Sequence, residues 1–157
     1  MTNQHCNHDF DFLFGSWTVH HRRLRSRLVG SDSWDDFTGS MTCRPILGGL
    51  GNIDEFHMPT RNTIGSTLRL FDLAGQRWWL YWSSNLTGRL EPPVVGVFNE
   101  GIGVFFGDDH HDDLAIRVRF VWDEITDRTA RWQQAFSTHD DTWETNWVMN
   151  LERNDAP

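Results

Sequence analysis

Lysine is absent from this chain: all 14 basic residues among the 157 are Arg. That removes Schiff-base chemistry on a lysine amine, a pyridoxal phosphate anchor and a P-loop lysine from consideration. Cysteine is scarce too. Cys6 and Cys43 are the only two, and Cys6 falls in a terminal stretch, so no disulfide framework is implied and a reducing, cytoplasmic setting is expected. Basic charge is in deficit: a net charge of -8 offers no basic face to nucleic acid or to an anionic membrane. No Pro-rich or Ser-rich linker divides the chain, no segment repeats, and no apolar run approaches a membrane span. The opening MTNQHCNHDF has neither the basic start nor the apolar run of a secretory signal. A chain of this length buries a core without staples. One soluble domain is expected over 9–153, with a loose N-terminal segment at 1–8 and a tail at 154–157.

Catalytic motifs are missing as well. There is no G-x-S-x-G, no H-E-x-x-H and no dinucleotide-binding glycine pattern. GGLG at 48–51 links two strands and opens no helix, so it reads as a turn and not as a phosphate cradle.

What the chain has in excess is tryptophan, nine in all. The stretch RWWLYWSS at 77–84 concentrates them. Strand residues point alternately to opposite faces, so Trp78, Leu80 and Trp82 share one face while Trp79 and Tyr81 share the other. Both faces need a cover: a barrel interior for the first, and the N-terminal plug or a second copy of the chain for the second.

The rest of the pattern is strand and turn. HDFDFLFGSW spaces Phe10, Leu13 and Phe14 as one face of a short helix that Gly15 ends. Strands follow at 16–27, 35–46, 52–58, 63–72, 77–84, 94–99, 103–108, 114–122, 129–137 and 142–152, separated by short polar turns. Short links make sequential antiparallel neighbours, and closure of such a meander removes exposed edges. The expected fold is all-β: an antiparallel up-and-down barrel of about ten strands with a short N-terminal helix. Alternation turns Val118, Phe120 and Trp122 inward, with Trp132, Gln134 and Phe136, and with Trp143, Thr145, Trp147 and Met149. It leaves Arg117, Arg119, Arg131, Gln133, Glu144, Asn146 and Asn150 as an outer polar ladder.

Gly15-Ser16-Trp17, at the head of the first strand after a helical turn, resembles the G-x-W signature of lipocalin-like (calycin) barrels. The wider series FDFLFGSW, GGLGNIDEF, TLRLFD, PPVVGVF, VRFVW, RWQQAFS and TWETNWVMN is similar to that of uncharacterised bacterial lipocalin-like domains, and covers nearly the whole chain from Asp9 to Arg153. The resemblance implies a calycin-type barrel in which Trp17 closes the floor and stacks on a basic residue beyond the last strand, for which Arg153 is the candidate. It implies no settled activity and carries over no catalytic residue. Some barrels of this kind bind haem through one His, but nothing here picks out that His, and no cofactor is expected.

Four clusters could carry chemistry. GDDHHDD at 107–113 and HCNHD at 5–9 contain metal-ligand atoms, but a hairpin tip and a chain terminus supply no second shell, so no metal site is assigned. On the first strand, Trp17, Val19, His21, Arg23 and Arg25 alternate toward the open end, where guanidinium groups would grip an anionic head. In NIDEFHM, Glu55 and His57 share a face two residues apart, an acid-base pair if they line the cavity and a surface ion pair if they do not. Phe56 and Met58 are then core residues.

The leading expectation is a barrel that binds a small apolar or aromatic molecule, with an acidic group near His21 and Arg23. Its walls would be Trp17, Trp78, Trp82, Phe120, Trp132, Gln134, Trp143 and Trp147. A cofactor-free isomerase, cyclase or hydrolase using Glu55 and His57, and a closed-core homodimer joined at Trp79 and Tyr81, are the alternatives.

Overall fold

The computed structural model describes residues 6–139 and 141–155. Ten antiparallel strands close into one barrel: β1 (Gly15–Leu24), β2 (Trp34–Ile46), β3 (Gly51–Met58), β4 (Thr63–Asp72), β5 (Arg77–Ser84), β6 (Val94–Asn99), β7 (Ile102–His111), β8 (Leu114–Asp123), β9 (Thr129–His139) and β10 (Thr142–Arg153). Each strand pairs with its neighbours in sequence, and β1 pairs with β10 to close the ring. Helical structure among the described residues is limited to three 3-10 turns, so the expected N-terminal helix is a single turn at Asp11–Leu13. His5 and Asp140 lie outside the described residues, as do the outermost parts of the two expected terminal segments.

Local chemistry sets the hairpins. Asp112 and Asp113 both take positive φ, at 48° and 63°, which is the mirror-image turn that suits a two-residue hairpin. The tip expected at 108–113 is therefore only these two residues, and β7 runs on to His111, which pairs with Leu114.

One end of the barrel is sealed. Phe10 is fully buried, with its ring 4.9 Å from Trp78 and from Phe98 and 5.8 Å from Phe105. Trp17 is also fully buried and donates its indole N–H to Leu13 O at 2.9 Å. Arg153 lies over the Trp17 ring at 4.2 Å and donates to the carbonyls of Phe12, Phe14 and Asp127. The 3-10 turn is thereby bolted to the last strand.

Most of the alternation is as expected. Val118, Phe120, Trp122, Trp132, Gln134 and Phe136 turn inward, while Arg131 meets Asp123 on the outside through two 2.8 Å hydrogen bonds. Strand β10 departs from it. Between Thr145 and Trp147 its pairing with β9 advances by two residues against one, a bulge centred on Asn146. An inserted residue reverses every side chain beyond it. Asn146 is fully buried, Glu144 accepts the Leu28 N–H at 2.6 Å, and Trp143 sits outside against Phe106 at 5.9 Å and under Arg119 at 4.6 Å. Trp143 and Thr145 are thus corrected to the outer face, and Glu144 and Asn146 to the inner.

The outer wall of β3 to β8 is more apolar than one-sided strands require. Register sets Ile53 beside Leu68 and Leu68 beside Tyr81, then Leu70 beside Trp79, Val95 and Phe106 in turn. The plug reaches Trp78 on the inside and not Trp79, whose ring is covered in part by Arg77 at 5.4 Å.

Candidate functional site

Above the sealed floor the barrel is not filled. A cavity of about 270 Å³, near the lower end of small-molecule sites, runs from Arg69 and Trp122 up to the loops at the other end. Its middle is a box of rings. Trp147 meets Trp82 edge-on at 6.4 Å and Trp132 at 5.7 Å, and Trp132 meets Phe120 at 4.9 Å. Gln134 interrupts the rings. Its amide N–H donates to Asn146 Oδ1 at 2.8 Å, which fixes the amide on the cavity wall.

The mouth is built by β1 and the loop that follows it, by Glu91 to Val94 at the start of β6, and by Asp108 to His111 at the end of β7. His21 and Arg23 line the cavity as alternation requires, and Arg27 joins them from the loop. The three donors have no acceptors among the described residues: His21 Nε2, Arg23 Nε and Arg27 Nη2 are buried atoms without a hydrogen-bond partner there. His21 accepts the Trp147 indole N–H on Nδ1 at 3.1 Å and stacks on Phe37 at 4.5 Å. An indole N–H only donates, so the proton of the neutral imidazole resides on Nε2. Burial, with Arg61 and Arg23 nearby, pushes His21 down to about 4. At neutral pH it is an uncharged donor.

The arginines are crowded rather than paired. Arg23 lies 4.7 Å over the Trp147 ring and Arg27 lies 5.2 Å over Phe136. Burial and the charges of Arg23 and Arg61 lower Arg27 to about 10 against the opposing pull of Glu144, and burial and Arg61 lower Arg23 against that of Asp35. Both remain cationic near pH 7. Arg61 is spoken for by Asp35 at 3.6 Å, and Arg25 by the same carboxylate at 2.6 Å. Arg25, expected along the cavity face, is instead beyond the end of β1 and exposed, because the strand stops at Leu24.

At the floor the cavity meets a second polar group. Arg69 is 2% exposed and donates to Asp54 Oδ2 at 2.5 Å and to Asn52 Oδ1 at 2.9 Å. Asp54 also accepts the Thr67 backbone N–H at 2.7 Å. Burial raises the Asp54 carboxyl, against the pull of Arg69 and Thr67. The Cys43 thiol beside this network is pushed up to about 11 by burial, which leaves it a poor nucleophile.

Of the residues expected to line a pocket, His21, Arg23, Trp82, Phe120, Trp132, Gln134 and Trp147 converge there. Trp17 and Trp78 do not, since the floor takes them: the Trp78 indole donates to Asp9 Oδ2 at 3.2 Å beneath the cavity. Trp143 is excluded by the β10 bulge. Glu55 Oε1 and His57 Nε2 are in hydrogen-bond contact at 2.6 Å on the outside of β3, with about half of each side chain exposed. They do not line the cavity, because Asn52, Asp54, Phe56 and Met58 take the inward positions. The sequence reading missed Arg27, Thr67 and Arg69. The signal for Arg69 was Asp54, which shares alternation with Phe56 and therefore had to be buried with a cation.

His110 and His111 diverge on alternate faces of β7, and among the described residues no group of three or more His, Cys, Asp or Glu side chains is arranged to hold a metal ion. The chain matches no protein-family model and no curated protein at a significant level.

Proposed function

We propose that this protein is a calycin-like binding module for a small, flat aromatic molecule that carries an acidic group. The observation that carries the reading is the set of three unpartnered donors, His21 Nε2, Arg23 Nε and Arg27 Nη2, gathered at the mouth of a cavity walled by indoles. Buried donors without acceptors cost free energy unless something supplies the acceptors. An oxyanion supplies several lone pairs at once and neutralises the crowded guanidinium charge. Indole faces supply the apolar area below it.

The proton-transfer alternative needs Glu55 and His57 inside the cavity, and they lie on the opposite side of the β3 wall. A second-copy contact keeps one specific support, the apolar row of Leu70, Trp79, Val95 and Phe106 on the outer wall. A single monomeric boundary in sedimentation velocity would remove it.

The binding reading is tested by titrating the protein with 2-naphthoate and with its methyl ester while following tryptophan emission. The acid is expected to bind at least about tenfold more tightly, the worth of one charge-assisted hydrogen bond. Equal affinity, or none, overturns the proposal.

A further inference from the structure

Arg69, one of the residues lining the cavity floor, carries one more donor without a partner. Its two terminal nitrogens are used by Asp54 and Asn52, but its Nε is buried and has no acceptor among the described residues. The side chain is held rigidly: the guanidinium lies 5.2 Å over the Phe10 ring and 5.8 Å over Trp122, both of which are fixed by the plug. Around it the floor is mostly apolar, with Leu80, Phe56 and Met149 among the lining residues, and the neighbouring Thr67 side chain is already engaged by Asp54. A lone N–H in such surroundings is a poor place for a water molecule, which needs two to four polar partners to stay. An oxygen positioned by its own carbon skeleton needs only one.

Charge decides which oxygen. The Asp54 carboxylate, 2.5 Å from the guanidinium, already balances Arg69. A second anion at the floor would face that carboxylate across a medium of low dielectric, whereas a neutral acceptor would not. The mouth holds Arg23 and Arg27, which have no carboxylate in hydrogen-bond contact among the described residues; Asp35 and Glu144 act on them only at longer range. With Glu91, Asp108 and Asp109 also in the lining, the two guanidinium groups are the part of the mouth that suits an anion.

We infer that the floor is a second recognition subsite, in which Arg69 Nε donates to a neutral oxygen at the end of the ligand remote from its acidic group. This rests on the aromatic-acid reading above and narrows it: the ligand is two-ended, acid at the mouth, ketone, ether or hydroxyl at the floor, with the fused or conjugated ring between Trp82, Trp132 and Trp147.

Two probes of one shape isolate the subsite. 6-Acetyl-2-naphthoate carries a carbonyl oxygen where 6-isopropyl-2-naphthoate carries a methyl group. The acetyl probe is expected to bind wild type about tenfold more tightly. Its advantage should vanish in the double variant Asp54→Leu/Arg69→Met, which removes both buried charges together and leaves none unpaired. The carbonyl stretch of the bound acetyl group gives a reading in wild type alone, expected below its frequency in an apolar solvent. Equal affinity of the two probes for wild type, an unshifted stretch, or an advantage that survives in the double variant overturns the floor subsite while the mouth reading stands. Failure of both probes and of 2-naphthoate to bind overturns the two together.

Discussion

Trp147 Nε1 donates to His21 Nδ1 across 3.1 Å, and this bond decides both the tautomer of His21 and the direction in which it faces the cavity. The same burial that makes the bond strong makes protonation costly. In the folded protein His21 is held at about 4, against 6.5 for an unperturbed His. As pH falls the unfolded chain takes up this proton first, so stability present above about 6.5 is lost between about 6.5 and 4. The loss is about 3 kcal/mol at the lower end, at about 1.4 kcal/mol for each unit. Urea unfolding at pH 7 and near pH 4.5 should show wild type losing more stability than His21→Gln. Equal losses would remove His21 from the acid limb.

The mouth arginines are expected to serve the ligand at the expense of the fold. Arg27 is lowered to about 10 by burial and by Arg23 and Arg61, so its charge is disfavoured where it stands. Arg27→Gln should therefore keep or raise the melting temperature while weakening 2-naphthoate binding about tenfold or more. Arg23→Gln should weaken binding similarly. A lower melting temperature with unchanged affinity would make these side chains packing elements over Phe136 and Trp147.

Closure and strand order were legible because turn residues and two-residue alternation agree along the whole chain; all ten expected strands begin within one residue of their observed start, six of them at it. Alternation failed where register slips. Nothing in TWETNWVMN marks Asn146 as the inserted residue, so one bulge turned Trp143 out and Asn146 in. On β4 the leucines of TLRLFD do not mark the core face. The structure turns Thr67, Arg69 and Phe71 inward and leaves Leu68 and Leu70 to the outer row with Trp79 and Tyr81. An apolar outer wall defeats the usual rule that the leucine face is the core face.

Gly65 on β4 supports the aromatic wall by lacking a side chain. A Cβ there would stand 2.0 Å from the Trp82 indole, which lies over the glycine. Gly65→Ala should push the indole into the cavity or away from it, at a cost of about 1–3 kcal/mol. Denaturant unfolding checks the stability, and 2-naphthoate titration should show weakened binding. Unchanged affinity with native stability would mean that Trp82 moves freely.

The exposed Glu55 and His57 pair is expected to matter little. Exposed ion pairs contribute about 0–1 kcal/mol. Glu55→Gln should leave stability within that range and 2-naphthoate affinity unchanged. A clear loss of binding would return the β3 outer face to consideration as part of a site.

Arg153 ties the plug to the barrel with a geometry that lysine cannot reproduce. Its planar guanidinium lies 4.2 Å over Trp17 while three nitrogens serve the carbonyls of Phe12, Phe14 and Asp127. An ammonium keeps the charge but loses the flat stacking face and the fan of donors. Arg153→Lys should cost about 2–3 kcal/mol, the scale of hydrogen bonds made by a charged group. The loss should be local before it is global, since the 3-10 turn at Asp11–Leu13 has few backbone hydrogen bonds of its own. Amide exchange is then expected to quicken first at Leu13 and Phe14, with the central strands still protected. Uniform quickening across the barrel would instead mean that floor and walls open as one unit, and that the plug is a folding element rather than a separable seal.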